Sequence, residues 1–387
     1  MKRKINQLIL QALFATTVVT SGFATSPLVN INDKVYLLFN GSATGRYVSN
    51  VFADNTNRKD DFISILSPGV ELMTSENAEL KVKAFFREDF YFYATRTKLD
   101  TQNANVIVFA NYDKSRLSSR FFFTFYQTDQ PTPAINFRGA LVSRAVWEAK
   151  IQEEYRISTK TAVGGGFEFH DTYFRSGQPG LVNYQIYTIP VVFWYKYSPK
   201  LEFGPAYRFR YTDMRAGGRD RVDHFVNFAA RGELAPKLMG EVNVGVQHRH
   251  IYGRSTTARN ARNTIGFALI SKLTYKATEK ITVDGGVNRD YSVGSTGQSI
   301  NNFGGNVNGK YQFTEIISAL AGFSYNRANY QFSNRKDNTY NGNIGVGYDY
   351  NKYVRLGAGY TYQYNDSNIS ANSYVNNIVN VTASLRY

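Results

Sequence analysis

The stretch Leu80-Lys81-Val82-Lys83-Ala84-Phe85-Phe86-Arg87-Glu88-Asp89-Phe90-Tyr91-Phe92-Tyr93 decides the fold. Its even positions hold Leu80, Val82, Ala84, Phe86, Phe90 and Phe92, broken only by Glu88, while its odd positions hold Lys81, Lys83, Arg87, Asp89 and Tyr91. Successive side chains of a β-strand point to opposite faces, so a period of two predicts a strand with one apolar and one charged face. The texture recurs along the chain. Leu201–Met214 sets Leu201, Phe203, Tyr207, Phe209 and Tyr211 against Glu202, Arg208, Arg210 and Thr212. Glu241–Tyr252 sets Val242, Val244 and Val246 against Glu241, Asn243, Gln247 and Arg249. Arg262–Lys276 sets Ile265, Phe267, Leu269, Leu273 and Tyr275 against Arg262, Thr264, Lys272, Thr274 and Lys276. No segment after residue 25 sustains a 3.6-residue period.

Compact breaks such as Ser198-Pro199-Lys200, Ala235-Pro236-Lys237 and Thr278-Glu279-Lys280 alternate with breaks richer in Asn, Gly, Ser, Thr and Arg. They divide the chain into about eighteen strand-length segments, from 35–53 to 373–387. A tilted strand needs only about 9–11 residues to cross a bilayer. An even strand count, with short turns and longer loops in alternation, is what an outer-membrane barrel requires. A propeller blade would fit four short strands into the repeat that here holds two long ones. A soluble sandwich would need a shared core for every apolar face. The expectation is an all-β, transmembrane, antiparallel up-and-down β-barrel of about 18 strands, as one domain over 25–387.

Composition agrees. The 387 residues include no cysteine, which excludes disulfide scaffolds, zinc ribbons and thiol enzymes. Aromatic residues at 15% argue against disorder. Only the N-terminus approaches an apolar run of helical-span length. There, Met1-Lys2-Arg3-Lys4 precedes an uncharged run, and Gly22 and Ala24 offer small residues for cleavage, the layout of a secretory signal peptide over 1–24. Its removal takes Lys2, Arg3 and Lys4 and lowers the formal charge of +15 to about +12.

Strand-end tyrosines (Tyr91, Tyr93, Tyr173, Tyr195, Tyr197, Tyr252, Tyr275, Tyr291, Tyr348, Tyr350, Tyr362 and Tyr364) fit girdles at the bilayer interface. The chain ends with Val379, Val381, Ala383, Leu385 and Tyr387 alternating on one face. This resembles the terminal signal read by the outer-membrane assembly machinery, which becomes an expected partner beside outer-membrane lipids and lipopolysaccharide.

The stretch Val51-Phe52-Ala53-Asp54-Asn55-Thr56-Asn57, followed by Asp61-Phe62-Ile63-Ser64 and Ser67-Pro68-Gly69-Val70-Glu71-Leu72, resembles the opening of the putative β-barrel porin 2 family. That family includes barrels from exopolysaccharide-secretion operons. The resemblance implies an outer-membrane pore or export conduit for an extracellular polysaccharide, with a periplasmic polysaccharide-export component as a partner. It carries no catalytic residues.

A barrel of this size encloses water, so its polar face sets selectivity. Alternation predicts inward bases at Lys81, Lys83, Arg87, Arg144, Lys150, Arg156, Arg208, Arg210, Arg231, Arg249, Arg262, Lys272 and Lys276. It predicts inward acids at Asp89, Glu148, Glu154, Glu168, Glu202, Glu233 and Glu241. The basic excess favours anions or an acidic polysaccharide. A general or anion-preferring diffusion porin, whose charges keep the lumen wet and pair with one another, fits the same pattern. An outer-membrane enzyme, adhesin or scaffold is the alternative of another class. The four histidines His170, His224, His248 and His250 lie in no catalytic motif, although Asp223-His224 offers a base pair and His248 and His250 share a strand face. No catalytic, metal or cofactor site is expected. Dispersed charge argues against nucleic acid.

Overall fold

The computed structural model describes residues 28–31, 34–131, 141–175, 180–215, 219–252 and 262–387. The expected signal peptide lies outside the described residues.

A short strand, β1 (Val29–Ile31), precedes eighteen long ones. These are β2 (Val35–Val48), β3 (Asp61–Thr74), β4 (Leu80–Tyr93), β5 (Thr101–Lys114), β6 (Leu117–Gln130), β7 (Val142–Arg156), β8 (Thr161–Phe174), β9 (Tyr184–Lys196) and β10 (Leu201–Met214). They continue as β11 (Arg221–Ala235), β12 (Leu238–Ile251), β13 (Arg262–Lys276), β14 (Ile281–Val293), β15 (Ser299–Gln312), β16 (Ile317–Tyr330), β17 (Lys336–Asp349), β18 (Val354–Ser367) and β19 (Tyr374–Arg386). From β2 onward each strand pairs antiparallel with its sequence neighbour, and β19 returns to β2 through Ile378↔Val48 to Arg386↔Asn40. The sheet is thus a closed barrel, which leaves no sheet edge for lipid to meet.

The faces sort by alternation. In β3, Asp61, Ile63, Ile65, Ser67 and Glu71 are buried on one side, while Phe62, Leu66, Val70 and Leu72 stand exposed on the other. Around the barrel, Phe86, Phe92, Phe167, Phe193, Phe228, Val246, Phe323, Ile344 and Val381 belong to the same exposed outer belt. Apolar surface loses about 25 cal/mol per Å² when left in water. A belt of this extent is therefore a lipid-facing surface.

Two segments fold inward at the loop end. Strand β2 stops at Val48, short of the expected 53. The residues of the family-like stretch form a loop instead. Asn50 donates to the carbonyls of Asp54 at 2.8 Å and Val375 at 3.0 Å, and its amide oxygen accepts the Asp54 N–H at 3.0 Å. Asp54 in turn accepts the N–H groups of Thr56 and Asn57 at 3.0 and 3.1 Å. This latch drives Val51 against Val48, Ile63, Ile65 and Tyr93 on the inner wall.

The second intrusion is larger. Pairing of β13 with β14 ends at Leu269↔Arg289. Strand β12 still holds β13 as far as Arg262, and β14 still holds β15 as far as Val293↔Ser299. Above residue 289 the β14–β15 hairpin therefore leaves the wall and leans into the barrel. Its tip reaches the inner side of β10, where a Cβ on Gly297 would meet Met214 at 3.3 Å. The backbone N–H of Val182 donates to Ser295 at 2.9 Å. Over the tucked hairpin, Arg262 stacks on Phe332 at 4.1 Å.

These intrusions correct part of the tyrosine reading. Tyr173, Tyr195, Tyr197, Tyr252, Tyr275, Tyr348, Tyr350 and Tyr362 are exposed on the outer surface. Tyr91 and Tyr93 are not girdle residues, because they pair with Ile65 and Ile63 on the inner face. Phe90 and Phe92 keep the outer face there, so the strand does not change phase at its aromatic end. Tyr291 also lies inside, since its part of β14 has left the wall and packs under Arg249.

Candidate functional site

The lumen and its loop-side narrowing form the candidate site. Cross-strand register places every expected inward residue on the face opposite the apolar belt. On β4 these are Lys81, Lys83, Arg87 and Asp89. On β7 and β8 they are Arg144, Glu148, Lys150, Glu154, Arg156 and Glu168. On β10 to β13 they are Glu202, Arg208, Arg210, Arg231, Glu233, Glu241, Arg249, Arg262, Lys272 and Lys276.

The structure draws many of them into ion pairs. Arg87 meets Asp89 at 2.8 Å. Arg231 bridges Glu154 and Glu202, both at 2.6 Å, and lies 4.1 Å over Trp194. Glu71, absent from the sequence-based set, holds Lys83 at 2.7 Å and Arg386 at 3.1 Å, fastening the seam where β19 meets the start of the barrel. Glu148 meets His170 at 3.2 Å, and Glu233 meets Lys200 at 2.6 Å. Lys81, Arg144, Lys150, Arg156, Lys272 and Lys276 have no carboxylate within 4.0 Å among the described residues.

The densest network clamps the tucked hairpin. Positions 208 and 210 lie two apart on β10, so both guanidinium groups point inward. Arg210 meets Asp223 on β11 at 2.7 Å and Asp290 on β14 at 2.8 Å, and Arg208 meets Asp290 at 3.0 Å. Arg249 on β12 takes both oxygens of Asp223 at 2.6 and 2.7 Å, then donates to Ser299 at 2.8 Å. Phe225 lies beneath both β10 arginines, 3.8 and 4.9 Å from their guanidinium carbons. Asp223 is 0% exposed and Arg249 1%. Buried charges persist only when paired and hydrogen-bonded, and these are. The sequence set contained the three arginines. It placed Asp223 beside His224 as a possible base pair, but the two face opposite ways. His224 lies outside on the Tyr207 hydroxyl at 2.7 Å. His248 stacks on it from the same outer face.

The opposite wall carries almost no charge at mid-height. Register aligns Asn306, Ser324, Asn341, Gln363 and Asn376 in one inward row across β15–β19. A second row runs Asn308, Gly322, Asn343 and Thr361. A Cβ at Gly322 would strike the amide oxygens of Asn308 and Asn343, so these amides fold over the bare backbone between them. At the ends of this wall stand Asp337 with Arg335 at 2.6 Å and Asp349 with Arg355 at 3.3 Å. Amides donate and accept at once. The row therefore offers both hydrogen-bonding senses without a field.

The family model described as putative beta-barrel porin 2 matches residues 214–387. No match was found among the curated proteins. Among solved structures, the outer membrane protein OpdK from Pseudomonas aeruginosa aligns with a TM-score of 0.47 and 10% identity over 91% of this chain and 98% of that one. OccK2 (OpdF) from the same organism aligns at 0.48 and 7%, over 90% and 98%. A BenF-like porin from Pseudomonas fluorescens Pf-5 aligns at 0.48 and 9%, over 91% and 99%. With its closed barrel and apolar belt, the chain is a membrane-spanning β-barrel of the bacterial outer membrane, and its second half is similar to the putative beta-barrel porin 2 model.

Proposed function

We propose that this porin-like barrel is a conduit for hydroxyl-rich solutes, with an extracellular polysaccharide as its physiological cargo. The observation that carries this reading is the uncharged row Asn306, Ser324, Asn341, Gln363 and Asn376. Sugar hydroxyls donate and accept, and a wall of amides answers both without binding a charge tightly. A chain must also leave each site it enters, which favours many weak contacts over one strong one. Acidic cargo is the weaker option, because Arg87, Arg231, Arg208, Arg210 and Arg249 already hold carboxylates. Residues 1–24 serve as the export signal in this reading. The last strand engages the assembly machinery, and the short-turn end faces a periplasmic export component.

Reconstitution in planar bilayers tests the proposal. The expected result is an open channel whose current is interrupted by neutral oligosaccharides, with longer chains giving longer interruptions. A conducting channel indifferent to neutral oligosaccharides would sink the saccharide reading and favour a general diffusion porin. The absence of channel events under any voltage would sink the conduit itself.

A further inference from the structure

The clamp around the hairpin is short of negative charge. Four guanidinium groups, on Arg208, Arg210, Arg221 and Arg249, face two carboxylates, on Asp223 and Asp290. Arg221 is the one left over. It is 2% exposed, and its side-chain hydrogen bond among the described residues runs from Nη2 to the carbonyl of Gly297 at the hairpin tip. Its Nε and Nη1 have no acceptor among the described residues. The side-chain hydrogen bonds that Asp223 accepts come from Arg210 and Arg249 instead.

Other unsatisfied groups lie on the elements that Arg221 joins, strand β10 and the hairpin turn. Thr212 pairs with Arg221 across the β10–β11 ladder on the inner face and is 1% exposed, and its hydroxyl has no partner among the described residues. The hydroxyls of Ser295 and Thr296, which precede Gly297 in the hairpin turn, have none either among the described residues. Buried polar groups are nearly always hydrogen-bonded, and an isolated buried cation is costlier still. Here the open groups include two guanidinium donors and three hydroxyls able to donate, beside one amide oxygen, on Gln298, that only accepts. Two of the donor residues belong to the wall and two to the hairpin.

We propose that Arg221, Thr212, Ser295 and Thr296 form a site for a small oxyanion, with the carboxylate of a uronate as the class of ligand that a saccharide channel would meet. The anion supplies the acceptor that the clamp lacks. Because it touches wall and hairpin together only when the hairpin is tucked, its binding shifts the population toward the tucked, narrowed state. The site thus makes the loop-side mouth responsive to an anionic solute. Binding stands independently of the proposed cargo, whereas the effect on the mouth rests on the channel reading.

Two measurements on the full-length reconstituted barrel separate these points. Calorimetry in detergent uses sodium galacturonate as the probe, with galactose as the neutral control. Galacturonate is expected to bind, galactose is not, and Arg221→Gln is expected to weaken binding at least tenfold, with Ser295→Ala weakening it less. Planar-bilayer recording should then show longer low-conductance dwells with galacturonate in the wild type and no such change in Arg221→Gln. Equal binding by wild type and Arg221→Gln, or no binding by a folded wild type, overturns the site. Binding without any change in dwell times overturns the link to the mouth. Loss of all channel events while galacturonate still binds would count against the channel reading and leave the site standing. If Arg221→Gln fails to fold, Thr212→Val and Ser295→Ala carry the same comparison, and unchanged affinity in both overturns the proposal.

Discussion

Along β4–β12 the inward positions mix Lys, Arg, Asp and Glu with aromatic rings, and the ions are fastened to one another. Along β15–β19 they are mostly Asn, Gly, Ser and Thr, with charge kept to the ends. Both walls are polar and both line water, yet they solve different problems. The first must hold a displaced hairpin and spends its charge on ion pairs that reach across several strands. The second keeps its full register, and its polar groups are bound by neutral hydrogen bonds, such as Asn341 to Ser324, rather than by ion pairs. A charged lumen is therefore not the same as an attractive one, because a salt bridge already made offers little field to a passing ion.

The sharpest way to break this contrast is to remove the carboxylate at the centre of the clamp. Asp223→Ala leaves Arg210 and Arg249 buried without their shared partner, and the expected cost is about 3–5 kcal/mol of barrel stability. Urea unfolding in lipid vesicles, followed by circular dichroism, measures it. On the amide wall, Asn341→Ala loses one bond to Ser324 at 3.2 Å, and about 1 kcal/mol is expected. Equal losses at the two sites would erase the distinction. A smaller effect is expected at Asp290, which is more open to the lumen than Asp223. Asp290→Ala should cost about 1.5–3 kcal/mol, the worth of hydrogen bonds to a charged group. It should also raise single-channel conductance, because Arg208 and Arg210 no longer hold the hairpin inside. Asn326→Ala, on the other wall, should leave conductance as it was.

How far the sequence foretells these walls differs between them. The alternation in Leu80–Tyr93 and its repeats locates the strands, their count and the outward face, since lipid on one side and water on the other leave a strong imprint on every second residue. Inward positions follow by subtraction. The tucked hairpin leaves no such imprint. Ile281–Val293 alternates like any wall strand, and Gly294-Ser295-Thr296-Gly297 reads as an ordinary turn. Its displacement depends on Asp290 reaching Arg210 some 80 positions earlier in the chain, a contact that no local pattern encodes. Tyr91 and Tyr93 illustrate another limit. Where both faces of a strand end are aromatic, alternation alone cannot say which pair meets lipid.

The amide wall invites a gentler test. Asn343→Leu keeps roughly the side-chain volume and removes both hydrogen-bonding senses at mid-height. The expected result is about a fivefold weaker block by neutral oligosaccharides, near 1 kcal/mol. A matching change at Lys150 should leave that block unaltered. If Lys150→Gln weakened it as much, the charged wall would share the saccharide track.

The smallest effect concerns ion selectivity. The bases with no carboxylate within 4.0 Å among the described residues, among them Lys150, Lys272 and Lys276, lean the lumen toward anions. The pairing elsewhere keeps that lean shallow, so a permeability ratio for chloride over potassium of only about two is expected at 0.1 M salt, where the Debye length is about 10 Å. Lys150→Gln combined with Lys272→Gln should bring the ratio close to unity. At 1 M salt the screening length falls to about 3 Å and wild type and variant should coincide. Reversal potentials across a salt gradient decide the matter. A strongly anion-selective wild type that stayed so at 1 M would mean that the clamp's arginines face the stream, and the division between a fastened wall and a free one would have to be redrawn.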